Sequence, residues 1–176
     1  MAQRKPNIIV TGTPGTGKTS HAQQIAEQMP DLKYYPINDV AKARDCIVGY
    51  DEERQSSIVD EEKLLDAIEE ELEAGGLVID WHVCDIFPER LIDLVLVLRT
   101  STNLLYDRYV ERKYPENKRD ENMDAEIMQI ILDEARDSYD ENIVIELQSD
   151  TIEDLESNVE RVVEWRKHWD SNNEDK

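Results

Sequence analysis

Residues 12–19 read GTPGTGKT, between an apolar run, NIIVT at 7–11, and a helix-forming stretch from about Thr19 to Met29 that Pro30 ends. The pattern is GxxxxGK[ST], and each of its positions has a physical reason. Gly12, Gly15 and Gly17 let the backbone curl until several N–H groups aim at one phosphate. The helix that follows adds its positive N-terminal end. Lys18 is long enough to follow the β- and γ-phosphates of a nucleotide, and Thr19 offers a hydroxyl to Mg²⁺. Strand, glycine-rich turn and helix in that order make this a phosphate-binding P-loop rather than an ordinary turn with an exposed lysine.

Outward from the loop, strand and helix patterns alternate. Further strands are expected at 33–37 (KYYPI, weakened by Pro36), 77–81 (LVIDW), 93–98 (DLVLVL) and 143–147 (IVIEL). LVIDW and DLVLVL lack polar alternation, as central strands of a parallel sheet covered on both faces do. Helices are expected at 60–74, capped by Asp60 and stopped by Gly75-Gly76, and at about 102–112, 124–139 and 152–169. The predicted fold is therefore α/β: a three-layer P-loop architecture with a five-stranded parallel sheet, helices on both faces and a short lid. Length and the absence of repeats predict a single domain over 1–176. Residues 38–59 and 112–122 resist the pattern; polar insertions of that kind serve as lids or binding loops. The tail, 170–176, is expected to be disordered.

Composition narrows the classes of function. There are 41 Asp plus Glu against 20 Lys plus Arg, a net charge of −21, which opposes strong binding to bare nucleic acid or to an anionic membrane. The same charge is also explained by solubility alone. No apolar run approaches the ~20 residues of a membrane span, and MAQRKPNIIV is not a secretory leader. Cys46 and Cys84 are the two cysteines, with no CxxC spacing, which suits a reducing compartment.

A P-loop enzyme needs an acid near its metal. Asp80 ends the run LVI, at the strand edge where such loops lie, and is the candidate to hold the Mg²⁺ shell with Thr19. His82, two residues on, shares its side if the chain stays extended, and can position water; a structural histidine fits the spacing equally. Arg108 and Arg112 share one helix face leading into the second polar stretch, where positive charge would meet phosphates. Lys42 and Arg44 carry positive charge in the first insertion, with Asp39 and Asp45 available to pair with them. His21 and His168 lie within helices and suggest no chemistry. Trp165 and Trp169 lie one turn apart and suit packing of the last helix.

Together, GTPGTGKT, GYDEE at 49–53, IVDEEKLLD at 58–66 and above all VIDWHVCDIFPERLIDLVLVLRT at 78–100 resemble the adenylate kinase isoenzyme 6 family, also called the coilin-interacting nuclear ATPase. The resemblance runs from about Asn7 to Trp169, and DWH followed by FPER is its specific part. It implies that Gly12, Gly15, Thr16, Gly17, Lys18, Thr19 and Ser20 hold the phosphates of ATP. It implies Asp80 and His82 as the second catalytic motif, 36–59 as the monophosphate-binding region with Asp39, Lys42 and Arg44, and 111–121 as the lid with Arg112 on ATP. Arg108 and Ser149 would lie beside the nucleotide. The family's Mg²⁺-dependent adenylate kinase and ATPase activities would follow, in nucleus and cytoplasm. So would binding of a basic small-subunit ribosomal protein within pre-ribosomal particles, in support of late rRNA precursor cleavage. One position departs. Adenylate kinases usually carry an arginine three residues after the aspartate of the monophosphate site; here Lys42 stands there, a point charge that cannot grip a phosphate bidentately. Two other readings stay open: an ATP-switched chaperone module without catalysis, and a small-molecule kinase on the same fold.

Overall fold

The alternation Ile8, Val10 against Ile9 explains the layering: the first two point to one face of the sheet and Ile9 to the other, and all three are fully buried. The computed structural model describes residues 4–53 and 56–174. In chain order the elements are β1 (Ile8–Gly12), α1 (Lys18–Gln28), β2 (Lys33–Pro36), α2 (Ile37–Ala43), β3 (Ile47–Asp51), β4 (Ser56–Val59), α3 (Glu61–Ala74) and β5 (Leu77–Asp80). They continue with β6 (Leu94–Arg99), α4 (Thr102–Glu111), α5 (Glu116–Ile127), α6 (Ile130–Ser138), β7 (Val144–Gln148) and α7 (Ile152–Asn173). Short 3₁₀ turns precede β6 and β7.

Five strands form one parallel sheet in the order β2-β5-β1-β6-β7. The chain winds to one side of β1 and then to the other, so the C-terminal end of β1 lies at the switch point where α/β sheets bind ligands. On one face Ile8, Val10, Val78, Leu94 and Leu96 pack against Ala22 and Ile25 of α1 and Val159 and Val162 of α7. On the other, Ile9, Ile79, Val95 and Val97 meet Leu64, Ile68 and Leu72 of α3 and Leu132 and Ala135 of α6. Each fully buried Val, Leu or Ile among them contributes about 1.5–3 kcal/mol. Asp60 caps α3 as expected, its side chain accepting from Lys63 N; a cap of this kind is worth ~1 kcal/mol.

The structure departs from the sequence reading in four places. Residues 38–53 and 56–59 are structured: α2 leads into a β3–β4 hairpin that pairs antiparallel outside the main sheet. Arg54 and Gln55, within the expected 36–59 region, lie outside the described residues. The helix expected at 124–139 is two, α5 and α6, broken where Gln129 takes φ 57. Helix α5 begins at Glu116, directly after Pro115, so only residues 112–115 of the expected lid are loop. The last helix continues to Asn173, held in its final turns by Arg166–Asp170 at 2.8 Å, so Asp170 to Asn173 are helical, not a disordered tail. Asp175 and Lys176 of that tail lie outside the described residues. Pro36 is accommodated because β2 is an edge strand.

Candidate active site

The P-loop is built before any ligand arrives. Gly15 and Gly17 hold φ of +90 and +93, the left-handed region open to glycine, and a Cβ on Gly15 would stand 2.8 Å from Tyr109 Cε1. Surrounding side chains fix the curl by binding its carbonyls. Tyr109 donates its phenol to Pro14 O, Thr16 Oγ1 donates to Thr13 O at 2.8 Å, and Ser149 Oγ donates to Thr16 O at 2.5 Å. Arg108 donates to Gly15 O at 2.9 Å and to Ser149 O and Asp150 O at 3.2 and 3.1 Å. At the start of α1, Gly17 supplies no side-chain cap and the first turn carries no acid. The unpaired amides of that turn therefore face no competitor for an anion.

Lys18 lies along the loop, Nζ donating to Gly12 O at 3.2 Å and Thr13 O at 3.4 Å. Burial lowers its pKa to about 8, which the Asp80 carboxylate only partly offsets. Thr19 Oγ1 donates to Asp80 Oδ2 at 2.9 Å, and Tyr34 OH donates to the same oxygen at 2.9 Å. A hydroxyl beside a carboxylate is the all-oxygen donor set that suits Mg²⁺. Among the described residues no group of three or more His, Cys, Asp or Glu is placed to hold a metal. Most of the shell would therefore come from phosphate and water oxygens, as is usual for this ion.

Two cavities flank the loop. The larger, about 680 Å³, is lined by Thr13, Asp39, Lys42, Tyr50, His82 and Lys118 among others. The smaller, about 270 Å³, is lined by Gly15, Gly17, Ser20, Arg108, Arg112 and Ser149 with the start of α7. The structure thus gathers Asp39, Lys42 and His82 on the acceptor side and Ser20, Arg112 and Ser149 on the other. The strand ends at Asp80, so strand alternation does not aim His82. Its backbone O accepts from Thr11 Oγ1 at 3.2 Å, and its ring meets Trp81 edge-on with centroids 5.8 Å apart. The imidazole opens to the cleft, yet the crowding of protein around it and then the Lys18 charge push its pKa down to about 4. At neutral pH it is uncharged and able to accept a hydrogen bond.

One expectation needs correction. Arg44 is not in the acceptor cleft: its guanidinium pairs with Glu71 of α3 and donates to Ala67 O at 2.7 Å. Arg108 and Ser149 line the smaller cavity beside Gly15 and Gly17, where they also donate to backbone carbonyls of the loop. The roof of the cleft is made by the expected lid: Tyr114 stacks on Tyr109 at 4.8 Å, and Asn117 Nδ2 reaches Glu53 O of the hairpin turn at 2.9 Å.

Sequence reasoning missed Glu126, Tyr34 and the pair His21–Asn158. Glu126 is 3% exposed; it accepts from Thr13 Oγ1 at 3.2 Å, Arg99 Nε at 3.0 Å and Thr100 N at 2.9 Å. It joins the lid helix α5 to the P-loop. Asn158 Nδ2 lies 3.1 Å from His21 Nε2, whose Nδ1 lies 2.8 Å from Gly17 O, so α7 also reaches the loop. A lone acid in a charged helix gave no signal for the first. For Tyr34, its place two residues before Pro36 in a strand beside the one that ends at Asp80 was the available clue.

A family profile described as AAA domain matches residues 8–129. An adenylate kinase isoenzyme 6 homologue of Saccharomyces cerevisiae is 56% identical over 164 residues, covering 93% of this chain and 83% of the relative. The homologue of Schizosaccharomyces pombe is 50% identical, with 95% of each chain covered. That of Candida albicans is 53% identical, covering 91% of this chain and 68% of the relative. Among solved structures, a shikimate kinase from Bacteroides thetaiotaomicron superposes with a TM-score of 0.55 at 18% identity, covering 92% and 98% of the two chains; this similarity concerns the fold alone. The P-loop with its threonine–aspartate pair and the extent of these identities agree, and the chain belongs to the adenylate kinase isoenzyme 6 family of P-loop nucleotide kinases and ATPases.

Proposed function

We propose that this protein is a Mg²⁺-dependent ATPase with adenylate kinase activity that acts in small-subunit ribosome maturation. The observation that carries the enzymatic part is the 2.9 Å bond, beside Lys18, from Thr19 at the start of α1 to Asp80 at the end of β5. Mg²⁺, when bound, would neutralise phosphate charge. The protein's part is positioning. The loop amides and Lys18 take the phosphates, Arg112 adds charge from the rim of the smaller cavity, and neutral His82 orients the attacking group from the larger one.

Water is favoured as acceptor over AMP. With Arg44 drawn away to Glu71, the described residues lining the acceptor cleft include the cations Lys42 and Lys118 and the carboxylates Asp39, Asp85 and Glu134. Crowding by protein and then the charge of Asp85 raise the pKa of Glu134, as expected where carboxylates crowd. A second anionic nucleotide meets repulsion there that water does not. A coupled assay with water, AMP and a sugar acid as acceptors tests this. We expect hydrolysis to exceed transfer to AMP, and no transfer to the sugar acid. Rapid sugar-acid phosphorylation would replace the reading with a small-molecule kinase, and binding of ATP without turnover would replace it with a switched module.

The cellular part of the proposal is a basic small-subunit ribosomal protein as partner, in nucleus and cytoplasm. Its support is the net charge of −21, which would speed encounter with a cationic surface, and the family to which the chain belongs. ATP can move such a complex only if the partner distinguishes nucleotide states. Titration of the ribosomal protein at two salt concentrations, with and without ATP, should show association slowed by salt and affinity lowered by ATP. Salt-independent association would remove the charge argument, and equal affinity in every nucleotide state would remove release by ATP.

A further inference from the structure

We infer that Tyr34 is a positioning residue for the metal: its phenol fixes the Asp80 carboxylate in the orientation that turns the free oxygen face of Thr19 toward Mg²⁺. The inference rests on the ATP site proposed above and adds a residue to it.

The strand register puts the group there. In the parallel pair of β2 and β5, Tyr34 stands opposite Val78 and Pro36 opposite Asp80, so Tyr34 and Asp80 share one face of the sheet. The Tyr34 ring packs against the apolar layer beneath α1 and α7, and its hydroxyl reaches the rim. There a single oxygen, Asp80 Oδ2, accepts two hydrogens, from Thr19 Oγ1 at 2.9 Å and from Tyr34 OH at 2.9 Å.

A threonine hydroxyl has one hydrogen and two lone pairs. Committing that hydrogen to Oδ2 leaves the lone pairs for a cation. This works only while the carboxylate is held, and the χ2 torsion of aspartate is broad and two-fold. A second donor on the same oxygen selects one setting and leaves Oδ1 to the water shell of the metal. A phenol, with an ordinary pKa of about 10, keeps its proton at neutral pH and so remains a donor to Asp80.

The experiment compares affinity for a fluorescent ATP analogue with Mg²⁺ and with chelator present. The ratio of the two is the enhancement due to the metal. In Tyr34→Phe it should fall about tenfold, as for other outer-shell partners of a metal. Affinity in chelator should stay within about twofold, because phosphate grip by the loop is untouched. On an Asp80→Asn background the same change should have no further effect, since the two residues act as one unit. A readout that spares the fold uses fluorotyrosine in the unaltered protein. The fluorine signal of position 34 should move when Mg²⁺ is added to the nucleotide complex. An unchanged enhancement in Tyr34→Phe, equal weakening with and without metal, or an unmoved fluorine signal would each overturn the inference while leaving the site standing. A wild-type protein whose nucleotide affinity ignores Mg²⁺ would overturn both.

Discussion

Replacing Glu126 with alanine should test how firmly the lid helix and the P-loop are joined. The side chain is almost wholly buried and serves three donors: Thr13 Oγ1, Arg99 Nε and the buried Thr100 N–H. Removing one partner of a buried ion pair costs about 3–5 kcal/mol, because the other charge is left in low dielectric. Here the lower end applies. Arg99 keeps the Glu126 backbone O at 3.0 Å and approaches Glu146 at 3.8 Å, so its charge is not stranded. The expected loss is about 3 kcal/mol, and at about 2–4 °C per kcal/mol for a chain of this length the melting temperature should fall by about 6–12 °C. Glu126→Gln loses the charge and keeps a single acceptor oxygen, enough for Thr13 and Arg99 but not also for Thr100 N–H, so its fall should be smaller than that of alanine. Thermal unfolding followed by circular dichroism, with urea titration to check the slope, reads both. A fall below about 2 °C for the alanine variant, or equal falls for alanine and glutamine, would refute the ledger built on these bonds. Nucleotide affinity should drop with stability, since Thr13 loses its tie to the helix.

Three further predictions address the chemistry. Because the Lys18 pKa is near 8 in the folded protein and near 10.5 when unfolded, the unfolded chain binds more protons between these values. Stability should therefore rise with pH across that window, while ATP affinity should fall above pH 8 and binding there should take up a proton, measurable by calorimetry in two buffers. Asp80→Asn should impair hydrolysis and transfer to AMP alike and weaken Mg²⁺ dependence, whereas His82→Gly should harm hydrolysis more; equal loss of both activities in the histidine variant would contradict its water-orienting role. Amide exchange across 111–121 should slow when a bisubstrate analogue binds, and unchanged exchange would return Arg112 and its neighbours to plain surface charge.

The P-loop and the central strands were legible because their signals are local. Apolar runs without alternation mark buried parallel strands, and glycines at fixed offsets mark the phosphate turn, so β1, β5, β6 and α3 emerge within a residue or two. The hairpin was not legible, since Val48, Tyr50 and Ile58 are exposed and leave no inward-facing stripe in β3 and β4. The break at Gln129 was hidden by an unbroken run of helix formers on both sides of it. In the site, Lys18, Thr19 and Asp80 were legible from motif and strand end, and they converge as expected. Arg44 was misplaced because charge on a short segment says nothing of direction, and the acid that captures it, Glu71, is 27 residues away. Glu126 and Asn158 were invisible for the same reason: each reaches the site through long-range packing that no spacing records.

Phosphoryl chemistry at the P-loop is the function on which every other proposed role depends. Its most direct test is phosphate release from Mg²⁺–ATP by the wild-type protein and by Lys18→Ala, with folding of both verified. The Lys18 ammonium is the charge that follows the phosphates into the transition state, and its carbonyl partners at rest, Gly12 and Thr13, lie outside the core clusters. In Lys18→Ala the fold should stay intact and turnover should fall on the order of 10² or more if the ammonium plays this part. Turnover within about a factor of two of wild type would contradict it.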